Sequence, residues 1–362
     1  MQKTAIMTRE ISELVDIQTV NESSFKPELL HDIRFGTVFT DHMLVADFKN
    51  GQWQKPKIMP YGPLAYEPSA KVFHYGQAIF EGMKAFKDNV GNVFLFRPRK
   101  NFERMNKSAE RLAMPLIPEE YFMEGIKQLV ALDRQWIPEG EGASLYIRPV
   151  YIATDNEIAA SPSQSYRFMV ILSPAQAYYR GEVKVKFETR YSRACPGGTG
   201  YAKAAGNYAA QFMPTEKAKK EGYQQVIWTD AVTHELVEES GTMNVFFRIN
   251  DTLLTAPVND QILNGVTRDS IIQLAKDNRI PIEVRKITVD ELVEAAKAGN
   301  LKEIFGSGTA ATVLPIKGLG WKNEFYELQP PVDSYADRLK KMLMDIQYNR
   351  TADPYGWRVP VI

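Results

Sequence analysis

One lysine of the sequence stands in a setting that suits covalent chemistry. Lys203 lies in the run Thr-Gly-Tyr-Ala-Lys-Ala-Ala-Gly-Asn-Tyr, residues 199–208, which surrounds the amine with small residues. A lysine that forms a Schiff base needs a desolvated site, where its pKa falls and the free amine can attack a carbonyl group. By itself the stretch does not distinguish such a lysine from a solvated one. The interpretation depends on other residues of the sequence that could act together with Lys203.

Two later stretches are suited to an anion. Residues 263–270, Leu-Asn-Gly-Val-Thr-Arg-Asp-Ser, lead directly into an apolar-periodic helix. The amides of Val266 and Thr267 are therefore predicted at a helix N-terminus, where backbone donors and the helix dipole favour a phosphate. Residues 302–311 read as a strand followed by a Gly/Ser/Thr bend, which can present further amides.

A carboxylate is the third component. In the run Glu-Glu-Ser-Gly-Thr-Met-Asn, residues 238–244, neighbouring strand side chains point to opposite faces, so Glu238 and Glu239 cannot both enter one site. A carboxylate beside a lysine and a phosphate nest is what a pyridoxal phosphate enzyme needs, because it keeps the pyridine nitrogen protonated and the ring able to accept electrons. The three components together predict such a site.

A strand upstream offers a polar edge. Residues 145–152 are rich in β-branched and aromatic residues, and Tyr146 and Arg148 project from the same face because they are two positions apart. This face is either solvated or placed to meet an acid, and the pattern alone leaves both open.

The remaining elements form a frame for these groups. Apolar spacing predicts amphipathic helices over 102–112 and 122–132, and Asn50-Gly51 predicts a hairpin turn. After Lys203 we predict one helix, kinked at Pro214 and ending near Gly222. Strands 224–228, 235–239 and 243–248 are predicted to form a meander. We predict an α/β (α+β) protein with an N-terminal domain over 1–173, a linker over 174–182 and a larger domain over 183–362.

Composition excludes several function classes. The 362 residues carry 44 Lys+Arg and 44 Asp+Glu, a formal net charge of zero, which gives no sign of a nucleic-acid or membrane-surface partner. A single cysteine, Cys195, excludes an internal disulfide and favours a reducing, cytoplasmic location. With four histidines and no H-E-x-x-H motif, no metal site is expected.

Two glycine-rich runs imitate nucleotide-binding motifs. Residues 306–311 follow a strand as in a dinucleotide fingerprint, but Pro315 breaks the helix that the fingerprint requires. The run that ends at Lys203 lacks the spacing of a P-loop. A nucleotide-binding oxidoreductase and a nucleotide triphosphatase are therefore disfavoured.

From about Phe35 to its C-terminus, the sequence resembles the branched-chain amino acid aminotransferases of the fold type IV, D-amino acid aminotransferase-like group of pyridoxal phosphate enzymes. The resemblance rests on separate motifs in a fixed order. They are Phe-Gly-Thr-Val-Phe-Thr-Asp-His-Met43, Phe-Glu-Gly-Met-Lys-Ala-Phe86, Ser-Leu-Tyr-Ile-Arg-Pro149, Lys203 with Gly-Asn-Tyr208, Glu-Glu-Ser-Gly-Thr-Met-Asn244, Leu-Asn-Gly-Val-Thr-Arg268 and Phe-Gly-Ser-Gly-Thr-Ala310.

The resemblance implies two domains with the cofactor between them and a homodimer whose subunits share the pocket. It implies that Lys203 carries the cofactor and moves a proton between the substrate Cα and the cofactor, a general acid/base role. Cofactor contacts implied for other residues are Glu239 at the pyridine nitrogen, Tyr208 at the ring oxygen, and, at the phosphate, Arg104, Val266, Thr267 and Thr309.

The resemblance also implies a substrate pocket that accepts leucine, isoleucine or valine on an apolar wall. Amides near Thr309 and Ala310 would take the α-carboxylate, and Tyr146 with Arg148 would receive the γ-carboxylate of glutamate. The implied pocket residues are Phe35, Tyr75, Tyr146, Arg148, Thr242 and Ala310. The implied reaction transfers the amino group to 2-oxoglutarate, with amino acids and 2-oxo acids as the small-molecule partners.

Alternatives within the fold remain open at this point. A D-amino acid aminotransferase or an aminodeoxychorismate lyase would use the same architecture, although chain length and the Phe-Glu-Gly-Met-Lys motif favour the branched-chain enzyme. A protein that binds pyridoxal phosphate without turnover is disfavoured because Lys203, Tyr208 and Glu239 are all present.

Overall fold

A computed structural model of the chain describes residues 14–176, 181–329 and 331–361. Its backbone divides into two units, the first ending by Tyr178 and resuming at Gln347, and the second lying between them. The domain division predicted from the sequence assigns the last residues to the second unit, whereas the structure groups Gln347–Ile362 with the first. The hydroxyl of Tyr348 shows why, since it donates to the carbonyl of Ala143 at 2.6 Å.

The first unit is built on one mainly antiparallel sheet. Its strand order is β1-β4-β2-β9-β8-β6-β7-β20, with β3 paired to β2 and β5 to β8. The bounds are β1 Asp16–Ile17, β2 His42–Lys49, β3 Gln52–Trp53, β4 Lys57–Pro60, β5 Ala78–Phe80, β6 Met83–Lys87, β7 Val93–Phe96, β8 Ser144–Ala153, β9 Tyr166–Ala175 and β20 Arg358–Pro360. The predicted turn at Asn50-Gly51 joins β2 to β3, as expected.

Two longer helices of the first unit pack against this sheet, and a short helix precedes them in the sequence. They are α1 Lys71–Tyr75, α2 Pro98–Arg111 and α3 Glu119–Leu132, with 3-10 turns at Pro27–Leu30 and Arg134–Trp136. The predicted apolar stripes are confirmed, because Met105 of α2 and Phe122 of α3 are fully buried. They pack in one core with Leu145 and Ile147 of β8. Residues that alternate with this pair therefore point away from the helical layer.

The second unit contains two smaller sheets. One has the order β12-β11-β10-β18-β19 and the other the order β15-β14-β13-β16-β17. The bounds are β10 Lys184–Glu188, β11 Gln225–Thr229, β12 Val237–Ser240, β13 Asn244–Ile249, β14 Thr252–Thr255, β15 Ile282–Val284, β16 Leu301–Gly308, β17 Thr312–Ile316, β18 Gly318–Trp321 and β19 Glu324–Glu327. Side chains of both sheets, such as Val185 and Phe247, share one core.

The helices of the second unit are α4 Ala205–Ala209, α5 Phe212–Lys220, α6 Val266–Asp277, α7 Val289–Lys297 and α8 Tyr335–Gln347. The single kinked helix predicted after Lys203 is wrong, because the chain forms α4 and α5 with a break between them. Pro214 lies in the first turn of α5, where its missing N–H costs no helical hydrogen bond.

The predicted three-strand meander is also wrong. Strand β12 pairs with β11, whereas β13 pairs with β14 and β16 in the other sheet. The chain changes sheets at Gly241, whose φ of 56° is open to glycine and strained for other residues. This switch matters for the site, because it brings the ends of β12 and β13 together.

Within residues 14–176, 181–329 and 331–361, no helix combines the length and the apolar character that a membrane crossing requires.

Candidate active site

Lys203 and Tyr208 form a direct pair in the second unit. The lysine Nζ donates a hydrogen bond to the tyrosine hydroxyl at 2.6 Å. Lys203 lies just before α4 and Tyr208 within it, so the start of a helix sets the spacing. The flanking Ala202 and Ala204 are buried. Gly200 is required for this approach, because a Cβ there would lie 2.5 Å from the carbonyl oxygen of Gln261.

Glu239 is a buried carboxylate near this pair. Its Oε1 accepts hydrogen bonds from the backbone amide of Leu263 and from Asn244 Nδ2, the latter at 3.2 Å. The Nη2 of Arg193 lies 3.5 Å from its Oε2. Burial raises the pKa of Glu239, and the charges of Arg193 and Lys203 act in the opposite direction. The pKa of Glu239, and hence the ionised fraction of its carboxylate, therefore depends on these two positive charges.

Its neighbour Glu238 has a different environment. Gln261 Nε2 donates to its Oε1 at 2.7 Å, and among the described residues its buried Oε2 has no hydrogen-bond partner. Burial raises the pKa of Glu238 to about 8, although Arg193 opposes the shift. Glu238 is therefore largely protonated near neutral pH. Glu239, which accepts from the Leu263 amide and lies near Arg193, is the better candidate to bind a cationic ligand group.

The predicted helix N-terminus is present. Helix α6 begins at Val266 after Gly265, so the amides of Val266 and Thr267 belong to its first turn, as predicted. A Cβ at Gly265 would lie 2.0 Å from Asn244 Oδ1, so glycine permits close contact with the residue that also binds Glu239. The carboxylate and the helix start are thereby linked through Asn244.

The turn between β16 and β17 lies at the same end of the sheet. Asn244 is paired in register with Ser307, two residues before Thr309. The Oγ of Ser307 is buried and lacks a hydrogen-bond partner among the described residues. Thr242 also lies nearby, because a Cβ on Gly308 would be 4.0 Å from its carbonyl oxygen. The candidate residues Thr242, Thr309 and Ala310 therefore belong to one end of this sheet.

The first unit brings together three of its candidate substrate residues. Arg148 Nη2 donates to the Tyr146 hydroxyl at 3.0 Å, and the Phe35 ring lies edge-on to Tyr146 with centroids 4.9 Å apart. Arg148 also lies over the ring of Phe80, at 4.8 Å from its centroid. Tyr75 has another environment, since its hydroxyl donates to the carbonyl of Ile158.

Arg104 is held by a second buried carboxylate. Its Nε and Nη2 donate to the two oxygens of Glu81 at 2.7 and 2.8 Å. Asn101 Nδ2 adds a hydrogen bond to Glu81 at 2.8 Å. Glu81 belongs to the Phe-Glu-Gly motif, but the motif gave no indication of this pair.

Four residues around Arg104 and Glu239 were not predicted from the sequence: Glu81, Asn101, Arg193 and Asn244. Asn244 ends the Glu-Glu-Ser-Gly-Thr-Met-Asn motif, and its position five residues after Glu239 could have suggested a contact across the turn. Arg193 lies next to the glycine-rich approach to Lys203, yet no spacing rule joins it to Glu239.

The residues of the second unit suit pyridoxal phosphate. Lys203 supplies an amine, and Glu239 is a buried carboxylate whose Oε2 lies 3.5 Å from Arg193 Nη2. The unpartnered Ser307 Oγ and the first-turn amides of α6 provide donors for an anion. No group of three or more His, Cys, Asp or Glu side chains that could hold a metal ion occurs in the described ranges.

Comparisons with known proteins give a consistent result. The family model "Amino-transferase class IV" matches residues 78–319. The chain is 42% identical to "Branched-chain-amino-acid aminotransferase 2" of Bacillus subtilis (strain 168), over 96% of this chain and 97% of the relative. It is 44% identical to a "Probable branched-chain-amino-acid aminotransferase" of Staphylococcus epidermidis, over 97% of this chain and 99% of the relative.

Solved structures share the fold. The branched-chain aminotransferase of the thermophilic archaeon Thermoproteus uzoniensis, solved with norvaline, superposes with a TM-score of 0.73 at 24% identity, covering 89% of this chain and 100% of that one. The branched-chain amino acid aminotransferase of Escherichia coli gives a TM-score of 0.71 at 23% identity, covering 88% of this chain and 99% of that one.

Proposed function

We propose that the chain transfers the amino group of L-leucine, L-isoleucine or L-valine to 2-oxoglutarate in a reversible ping-pong reaction. It belongs to the class IV amino-transferase family and is a pyridoxal phosphate-dependent branched-chain-amino-acid aminotransferase. Identity of 42% to 44% over nearly the whole chain is the observation that carries the activity. The proposal names the substrates and assigns roles to individual residues.

Pyridoxal phosphate, when bound, supplies an electron sink for the substrate carbanion. The residues that we propose hold it provide an amine, a phenol, a carboxylate and phosphate donors; they are Lys203, Tyr208, Glu239, Val266, Thr267, Thr309 and Arg104. The support in the second unit is the pairing of Lys203 with Tyr208 at 2.6 Å and the burial of Glu239. For Arg104 the support is the family resemblance together with its fixed guanidinium.

Lys203 is proposed to act as the general acid/base. Its Nζ takes up the proton that leaves the substrate Cα and would deliver it to the cofactor, with the reverse transfer in the second half-reaction. Tyr208 fixes the direction of that amine through their hydrogen bond. Glu239 holds a proton on the pyridine nitrogen, and this function needs the ionised carboxylate that Arg193 and Lys203 favour.

Substrate recognition is proposed for residues of both units. Arg148 and Tyr146 present a cation and a hydroxyl to the second carboxylate of glutamate, and Phe35 supplies an apolar ring beside them. The amides near Thr309 and Ala310, at one end of the β13–β16 pair, are proposed to receive the α-carboxylate, and Thr242 to line the pocket beside them. Tyr75 is proposed for the pocket on the resemblance alone.

We also propose a cytoplasmic homodimer. Phe73 and Ile158 in the first unit are 62% and 69% exposed, which gives that unit apolar surface for a second copy to cover. The single cysteine suits a reducing compartment. Measurement of the molecular mass in solution by light scattering tests the dimer.

The activity is tested by the visible absorbance of the purified protein with pyridoxal phosphate. L-leucine is expected to abolish the absorbance of the bound cofactor and 2-oxoglutarate to restore it, whereas D-alanine leaves it unchanged. A response to D-alanine alone would contradict the proposed substrate class.

The role of Lys203 has a matched control within the same unit. Lys217 donates to Tyr191 at 2.8 Å with nearly the same lysine–ring distance, 4.9 against 5.0 Å, but on the surface. Lys203→Ala is expected to lower transamination at least about 10³-fold, while Lys217→Ala keeps wild-type activity. Substantial activity in Lys203→Ala would remove the lysine from its proposed role.

A further inference from the structure

Glu81 is a fully buried carboxylate of the first unit that the proposed mechanism does not use. It lies between β5 and β6 and is 0% exposed. Four hydrogen bonds reach its two oxygens: two from Arg104 at 2.7 and 2.8 Å, one from Asn101 at 2.8 Å, and one from the amide of Gly82 at 3.1 Å. The backbone amide of Glu81 is itself fixed by the carbonyl of Pro149 at 2.8 Å.

The donors come from one helix face. Asn101 and Arg104 are three residues apart on α2, so both side chains lie on the same side of that helix. Asn101 Nδ2 also donates to the carbonyl of Gly82 at 3.2 Å. Helix α2 therefore holds both Glu81 and the adjacent peptide, and the carboxylate occupies the Nε/Nη2 edge of Arg104.

Gly82 joins this network to Tyr146. A Cβ built on Gly82 would lie 2.1 Å from the tyrosine hydroxyl, so only a glycine backbone permits that approach. The same hydroxyl accepts the hydrogen bond from Arg148 at 3.0 Å. Contacts therefore run without a gap from Arg104 through Glu81 and Gly82 to Tyr146 and Arg148.

We propose that Glu81 is a positioning residue that fixes the guanidinium of Arg104 and the hydroxyl of Tyr146 relative to each other. The inference rests on the proposed function, in which Arg104 serves the cofactor phosphate and Tyr146 the acidic substrate. A bidentate carboxylate fixes both the plane and the direction of a guanidinium, which a single hydrogen bond does not. Glu81 thus connects phosphate binding to the selection of glutamate.

A purely structural role is the competing explanation, and the same sheet offers a matched pair to test it. Arg167 Nε and Nη2 donate to Asp47 at 2.6 and 3.0 Å, the same two-bond geometry as Arg104 with Glu81. Asp47 and Arg167 face each other across β2 and β9. Arg167 lies six residues along β9 from Ser173, the register partner of Tyr146 on β8. Loss of that pair is expected to lower stability alone.

The experiment compares Glu81→Gln with Asp47→Asn. The dissociation constants of pyridoxal phosphate and of pyridoxal, which lacks the phosphate, are measured on the apoenzyme by fluorescence titration. We expect Glu81→Gln to raise the dissociation constant of pyridoxal phosphate about tenfold and to change that of pyridoxal little. The KM for 2-oxoglutarate is expected to rise more than the KM for leucine. Asp47→Asn is expected to lower the melting temperature. It is expected to leave unchanged the ratio of the two dissociation constants and the ratio of the two KM values.

The outcomes separate this inference from the proposed function. Equal ratios in Glu81→Gln, Asp47→Asn and the wild type would overturn the positioning role. If Arg104→Gln leaves pyridoxal phosphate affinity unchanged, the proposed phosphate role of Arg104 fails; if Arg104→Gln weakens it and Glu81→Gln does not, only the inference fails. Asn101→Ala retains the ion pair, so it provides the same test, with an expected change of about threefold, should Glu81→Gln not fold.

Discussion

Glu81 in the first unit and Glu239 in the second are both buried carboxylates beside an arginine, but the arginines contribute differently. Arg104 binds Glu81 through two short hydrogen bonds, and other donors complete its coordination. Arg193 approaches Glu239 only to 3.5 Å. The carboxylate of Glu81 is thus saturated by the protein, whereas Oε2 of Glu239 can still bind a cationic partner strongly.

This difference separates a group that orders its surroundings from one that acts on a ligand. A buried carboxylate that has all its hydrogen bonds from protein donors gains little from an additional group. One with a distant cation gains a strong interaction when a protonated nitrogen arrives. We therefore expect substitution of Glu239 to change turnover, and substitution of Glu81 to change affinity.

The largest effect is expected for Glu239→Gln. A neutral amide no longer favours the protonated pyridine nitrogen, so both half-reactions are expected to slow by about 10²-fold. Single-turnover absorbance changes with L-leucine and with 2-oxoglutarate measure the two rates separately. If Glu239→Gln retains wild-type rates and alters only the affinity for the cofactor, the expected distinction between Glu239 and Glu81 is wrong.

A smaller loss is expected for Arg193→Gln. Without this cation the pKa of Glu239 rises further, and less of the carboxylate is ionised at neutral pH. Turnover is expected to fall about tenfold at pH 7, and the deficit shrinks as the pH rises, because higher pH restores the ionised form. A pH–rate profile measures this, with Arg190→Gln as a control nearby in sequence. A deficit independent of pH would show that Arg193 acts in another way.

The smallest effect on activity is expected for Glu238→Gln, which sharpens the distinction between the two adjacent glutamates. The unfolded chain releases this proton near pH 4.5, while burial raises the pKa to about 8 in the folded protein. Between these values the folded state holds the extra proton, so its free energy of unfolding falls as the pH rises and levels off above pH 8.

Glutamine at position 238 removes this dependence. Urea denaturation at pH 5 and pH 8 is expected to show a smaller loss of stability in Glu238→Gln than in the wild type, with a difference on the order of a few kcal/mol. Turnover at pH 7 is expected to stay within about threefold of the wild type. The same pH dependence in both proteins would mean that Glu238 is already ionised in the folded state.

Local spacing predicted those parts of the molecule that neighbouring residues determine. The amphipathic stripes of α2 and α3, the hairpin at Asn50-Gly51 and the start of α6 follow from periodicity and turn chemistry. The common face of Tyr146 and Arg148 follows from strand alternation, and their hydrogen bond agrees with it.

Contacts between distant segments were not predictable in this way. Glu81 and Arg104 are 23 positions apart and Arg193 and Glu239 46 apart, so no helical or strand period relates them. The change of sheet at Gly241 was missed because a turn between two strands looks the same whether they pair with each other or separate. Tertiary packing determines these features.

The return of the chain to β20 has a consequence for synthesis. Strand β20 pairs with β7, so the sheet of the first unit includes residues separated by the entire second unit. A ribosome completes the second unit before it releases this edge strand, and domains commonly fold as they emerge. The order of folding can therefore differ from the order of the sequence: the unit that starts first is the one that finishes last.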